Sequence, residues 1–155
     1  MKVNLKIPGP SNKTWTVKGA NLEEVFKALK AHGWWGRYRS NESAKFTGKA
    51  KKFDTVNLSA KPVITMPKWA NYGKAAKDEK KSWDDMWKAL KKHEDQHHTI
   101  FQTAAKEWKA STEKGGDLEP KEMDKAWKAF LADSQKRQDD FDKRTGHGKK
   151  TGVVL

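Results

Sequence analysis

Residues 83–108 read WDDMWKALKKHEDQHHTIFQTAAKEW. Stepped at about 100° per residue, Trp83, Met86, Trp87, Leu90, Phe101, Ala104, Ala105 and Trp108 collect on one face of a helix. Lys88, Lys91, Lys92, Asp95, Lys106 and Lys109 fall elsewhere on it. The spacing predicts a long amphipathic helix from about Lys77 to Ser111. His93, Glu94 and His97 lie on the apolar face, and they are the anomaly. Burying such groups without partners costs several kcal/mol. The His-Glu-x-x-His spacing removes that cost if the two imidazoles, one turn apart, share a Zn²⁺ at about 2.0–2.1 Å. Glu94 then stands where it can take a proton from a metal-bound water. The bland alternative is a hydrogen-bonded His–Glu–His core cluster without metal. A solvated face is not an explanation, because the three residues are on the inward side.

The rest of the chain must cover that face. Downstream, Gly115-Gly116 ends the helix, and Asp117 and Pro120 open another. Its apolar stripe is Met123, Ala126, Trp127, Phe130 and Leu131, with Phe141 aligned if the helix runs that far. Two antiparallel helices joined by the Gly-Gly turn are expected. Upstream, Val3, Leu5 and Ile7 alternate as a strand, Pro8 to Asn12 reads as a turn, and Thr14 to Val17 reads as a second strand. Together they suggest a hairpin. Asn21 caps a short helix with Glu24 three residues on and Gly33 as its stop. Arg37 to Arg39, Ala44 to Ala50 and Thr55 to Met66 are further strand candidates, with a break at Pro62 and an end at Pro67. The expected class is therefore α+β: a small antiparallel sheet and an N-terminal helix packed on two long antiparallel helices. Trp-Lys-Ala recurs at Trp87, Trp108 and Trp127 at irregular spacing, which is reused helix packing and not an internal repeat. Trp34 and Trp35 beside Gly36 are candidates for lining a cleft, with ordinary core packing as the alternative.

At 155 residues the chain is expected to be a single domain and a monomer. It has no cysteine, so disulfides and thiolate zinc sites are excluded. No stretch is long and apolar enough to span a membrane, and Met1 to Ala20 holds no hydrophobic signal core. The formal charge of +13 favours polyanions, whether nucleic acid, anionic membrane surfaces or cell-wall and surface polymers, or simply keeps the protein soluble.

Four motifs in this order resemble a bacterial family of predicted secreted zinc-dependent proteases, catalogued as domain of unknown function 922. They are Trp15-Thr16-Val17-Lys18-Gly19, the strand into Met66-Pro67-Lys68-Trp69, the segment from Trp87 to His97, and Phe141-Asp142-Lys143-Arg144-Thr145-Gly146-His147-Gly148. His98 stands where the family more often has an apolar or aromatic residue. The resemblance implies a zinc peptidase acting on a protein or peptide substrate, secreted or periplasmic, although the first residues show no leader. It also draws His147 into the site as the expected third zinc ligand. Glu113, Asp117, Glu119 and Glu122 are rivals for that place. Asp142 is a ligand or a partner to a histidine N–H. Tyr72, His98 and Arg144 are candidate oxyanion donors by residue type, and Glu94 is the expected general base. Two other functions remain open: a basic metal-dependent toxin or nuclease, and a non-catalytic zinc-stabilised binding module. Nuclease chemistry is disfavoured, because it usually asks for carboxylates around Mg²⁺.

Overall fold

The computed structural model describes residues 1–155 and contains six strands and three α-helices. The strands are β1 (Lys2–Lys6), β2 (Ser11–Val17), β3 (Arg37–Arg39), β4 (Glu42–Thr47), β5 (Thr55–Ala60) and β6 (Val63–Trp69). The helices are α1 (Leu22–His32), α2 (Lys77–Gly115) and α3 (Pro120–Thr145). The α+β class is as expected. The sheet is not one but two, each three-stranded and mixed, in the orders β1-β5-β4 and β2-β6-β3.

The chain forms two compact units. One gathers Met1–Pro10, Ser40–Pro62 and His98–Asp140; the other gathers Ser11–Arg39, Val63–His97 and Phe141–Leu155. In the first, β5 pairs in parallel with β1 and antiparallel with β4. Val3, Val56 and Leu58 are fully buried from that sheet. In the same unit the helical segments meet through Phe101 against Phe130 and Trp108 against Trp127 and Phe130. Rising α2 numbers meet falling α3 numbers, so the two segments run antiparallel.

In the second unit, β6 pairs in parallel with β2 and antiparallel with β3. Its core joins Val17, Val25, Leu29, Ile64, Met66, Trp69, Trp83, Met86 and Leu90. Val25 and Leu29 come from α1, whose cap forms as the sequence predicts. Asn21 Oδ1 accepts a hydrogen bond from the Glu24 N–H at 3.0 Å, and Gly33 ends the helix in the left-handed region.

The β1–β2 hairpin does not form. Pro8 and Pro10 remove two backbone donors from the connection, and each strand instead joins a different sheet. β6 also runs through Pro67, where the sequence suggested an end. β3 pairs with it only as far as Thr65, so that edge of β6 has no neighbour at Pro67. The Pro67 carbonyl accepts a hydrogen bond from Trp87 Nε1 at 3.1 Å and so fixes α2 against β6.

Candidate metal centre

His93, Glu94 and His97 lie in the part of α2 that belongs to the second unit, and all three are buried. α3 carries Phe141 and Asp142 to them. The Phe141 ring stacks on His93 with centroids 4.7 Å apart and meets His97 edge-on at 4.9 Å. One aromatic side chain thereby holds both imidazoles at a fixed angle. Asp142 follows directly, and its Oδ1 lies 3.0 Å from His93 Nε2 and 2.9 Å from His97 Nε2. Burial alone would raise the Asp142 pKa, but the two histidine contacts outweigh it and hold the carboxyl well below the usual carboxylate range.

The loop after α3 has a backbone built for this placement. Thr145 Oγ1 donates to the Phe141 carbonyl at 2.9 Å and accepts from the Gly148 N–H at 3.2 Å. Gly146, His147 and Gly148 are all left-handed, with φ of 58°, 55° and 90°. A Cβ on Gly148 would sit 2.5 Å from Val153 Cγ2 and 3.4 Å from His93 Nδ1, so glycine is required there by contact as well as by φ. That nitrogen of His93 is buried without a hydrogen-bond partner. The Phe-Asp-x-x-Thr-x-His-Gly motif is thus an aromatic wall, an oxygen donor and a helix stop.

Glu94 is 4% exposed, and burial pushes its pKa up to about 6 against the pull of His97 and His93. Gly36 makes room for it: a Cβ there would lie 3.1 Å from Glu94 Oε1. Two residues on, the Tyr38 ring lies parallel to His97 at 6.3 Å. Gly36, Tyr38 and Phe141 were not singled out from the sequence as site residues. The available clues were the Trp-Gly-Arg-Tyr run and the place of Phe141 on the helical stripe.

His147 is 81% exposed on its side chain, with Nδ1 3.8 Å from Asp142 Oδ2, so it neighbours the three converging residues from outside. The Tyr72 hydroxyl donates to Asp84 at 2.9 Å. Arg144 lies over the Phe141 ring at 5.6 Å. His98, Glu113, Asp117, Glu119 and Glu122 belong to the other unit. There Glu113 accepts from the Val3 N–H, and Asp117 pairs with the chain's terminal ammonium.

His93, His97 and Asp142 offer two imidazole nitrogens and a carboxylate oxygen, all within 4.8 Å of one another. Such a cluster can hold a metal ion. Nitrogen and oxygen donors of this kind, three in number, are what a catalytic zinc takes while keeping one position open. The donor set fits. The His93 Nδ1 without a partner departs from the usual outer shell of such a site.

The sequence profile of a family described as a bacterial protein of unknown function (DUF922) matches residues 12–148. The chain belongs to this family. The match takes in both histidines, Glu94, Asp142 and the whole of the final motif. No curated protein and no solved structure matches the chain. No helix of this DUF922 protein is long and apolar enough to cross a membrane.

Proposed function

We propose that this DUF922 protein is a zinc-dependent peptidase whose ion is held by His93, His97 and Asp142. The observation that carries the reading is the convergence of three donor atoms within 4.8 Å beside a buried carboxylate. Bound there, zinc would polarise a scissile carbonyl and lower the pKa of the attacking water. Each residue then has a distinct task. Phe141 keeps both imidazoles aimed at one point. Asp142 brings a negative charge that balances part of the ion's. Glu94, with a pKa of about 6, is ionised at neutral pH and only weakly basic. It is matched to accepting a proton from the attacking water and passing it to the leaving amine. His147, exposed beside the Asp142 carboxylate, stands where a substrate or a further ligand would approach. The substrate is a protein or peptide, and the bacterial family makes an envelope or extracellular target the natural setting.

The test combines metal content with cleavage. Elemental analysis of the purified protein is expected to find one zinc per chain, lost in His93→Ala, His97→Ala and Asp142→Ala and retained in Glu94→Gln. Digestion of an unfolded protein substrate should stop with a chelator and with Glu94→Gln. Undiminished cleavage by Glu94→Gln would remove the general-base role. Full zinc content with no cleavage in the wild type on any unfolded protein would favour a non-catalytic zinc-stabilised module.

A further inference from the structure

The net charge of this protein is not spread evenly. Residues 77–145, which include α2 and α3, carry 16 Lys and Arg against 16 acids, while residues 1–76 carry 15 against four. Several helix lysines sit four residues from an acid and pair with it, as Lys81 does with Asp85 and Lys136 with Asp140. The excess lies with the strands and the loops that connect them.

The β1-β5-β4 sheet shows where it goes. Alternation turns Val3, Val56 and Leu58 inward and leaves the other positions to the opposite face. The pairing places Lys2 beside Thr55 and Thr47, Asn4 beside Asn57 and Lys45, and Lys6 beside Ser59 and Ser43. That face holds no acid and no aromatic ring. Asn4 Nδ2 donates to Asn57 Oδ1 at 2.9 Å, which ties its middle row together. At the Lys2 end, the β4–β5 turn adds Lys49, Lys51 and Lys52, all exposed. Ala50 and Lys51 are both left-handed, with φ of 51° and 66°, and the Lys52 N–H donates to the Lys49 carbonyl at 3.1 Å. Such a turn ordinarily takes Asn-Gly. A Cβ on Gly48 would lie 1.9 Å from the Lys52 carbonyl oxygen, so the backbone is folded tightly at the base of the turn. None of the six lysines makes an ion pair, and the acids close by have other partners: Asp54 accepts a hydrogen bond from Thr55, Glu113 accepts from the Val3 N–H, and Asp117 pairs with the terminal ammonium.

We propose that this face and its lysine turn bind a linear phosphate polymer without bases, such as a polyol-phosphate or polyphosphate chain. Ammonium groups supply charge, and rows of hydroxyl and amide groups supply hydrogen bonds to phosphate oxygens. With no aromatic side chain on the face there is no platform for stacking a base, so a nucleic acid gains nothing over a plain phosphate chain. The surface does not depend on the metal centre, and it would hold the protein on an anionic matrix.

The test is titration of the full chain with fluorescent polyphosphate at about 50 mM salt, where counterion release makes such binding strong. K2E/K6E/K45E and K49E/K51E/K52E are each expected to weaken binding at least tenfold. K114E/K121E/K125E, with the same change in net charge but on the helices, should stay within about twofold of wild type. His93→Ala should bind as wild type does, which separates this proposal from the zinc reading. The Lys→Gln versions of the two sheet variants should show intermediate losses at unchanged melting temperature, confirming that folding is intact. Equal weakening by the helix variant would overturn the proposal in favour of net charge alone. Tighter binding of single-stranded DNA of matched charge, or of anionic vesicles, would overturn it in favour of those partners.

Discussion

At the scale of single residues, the centre is a balance between burial and charge. Glu94 holds its proton more tightly in the folded chain, at about 6, than the 4.5 of an exposed glutamate. Between those two values the folded state binds more protons than the unfolded one, so the buried carboxyl lowers stability progressively as pH rises from 4.5 to 6. The full cost above pH 6 is about 2 kcal/mol, at 1.36 kcal/mol per unit. Glu94→Gln should therefore stabilise the metal-free protein by an amount of that order at pH 7.5 and by almost nothing at pH 4. Thermal melts of both forms across that range check it, and a difference that does not shrink toward acid pH contradicts it. Asp142 works in the other direction, because His93 and His97 hold its carboxyl ionised far into acid. Asp142→Asn keeps the shape and removes the charge. It should weaken zinc binding by more than the 10–100-fold typical of an outer-shell partner. His147→Ala, by contrast, should weaken it less than tenfold, as competition with a zinc chelator would show. A larger loss for His147→Ala would move that histidine into the ligand set.

At the scale of elements, the site is made by helix ends and loops that put residues distant in sequence on one spot. Gly148 is the clearest case. Gly148→Ala meets Val153 at 2.5 Å in a backbone region that disfavours any side chain, so a loss of at least about 2 kcal/mol is expected. Its melting temperature should fall well below that of Gly9→Ala, where the added methyl meets nothing within 4 Å. This contrast also shows what the sequence could and could not reveal. The burial of His93, Glu94 and His97 was legible, because a 3.6-residue period carries its own geometry along α2. So were the Asn21 cap and the Gly33 stop, whose chemistry is local. The meeting of Asp142 with the two histidines is not legible in the sequence, where Asp142 stands beside His147 and four other carboxylates as a candidate. What singles it out is how far α3 extends. Continuous helix from Pro120 to Thr145 puts Phe141 and Asp142 on the side of α3 that faces α2, whereas His147 lies beyond the helix end. Strand pairing was the least legible. The alternation of Val3 and Leu5 fixes which side is buried, but two prolines decide that β1 and β2 part company, and nothing local names their parallel partners.

At the scale of the whole molecule, the three converging donors and Glu94 all belong to one of the two compact units, so an ion there acts on that unit directly. An ion that binds the folded chain and not the unfolded one adds stability by RT ln(1 + [metal]/Kd), which is about 2.7 kcal/mol at one hundred times Kd. For a chain of 155 residues each kcal/mol moves the melting temperature by roughly 2–4 °C. Stripping the metal with a chelator should therefore lower the wild-type melting temperature by about 5–11 °C relative to protein in that excess of zinc. Asp142→Asn should show at most about 1–2 °C between the two conditions, because a site weakened more than about 100-fold is no more than half filled at the same zinc concentration. Glu94→Gln should show the full difference, since it leaves the three donors in place. The order of these three shifts separates a metal held by His93, His97 and Asp142 from adventitious binding to exposed histidines such as His32 and His147. Adventitious binding would give all three proteins the same small response.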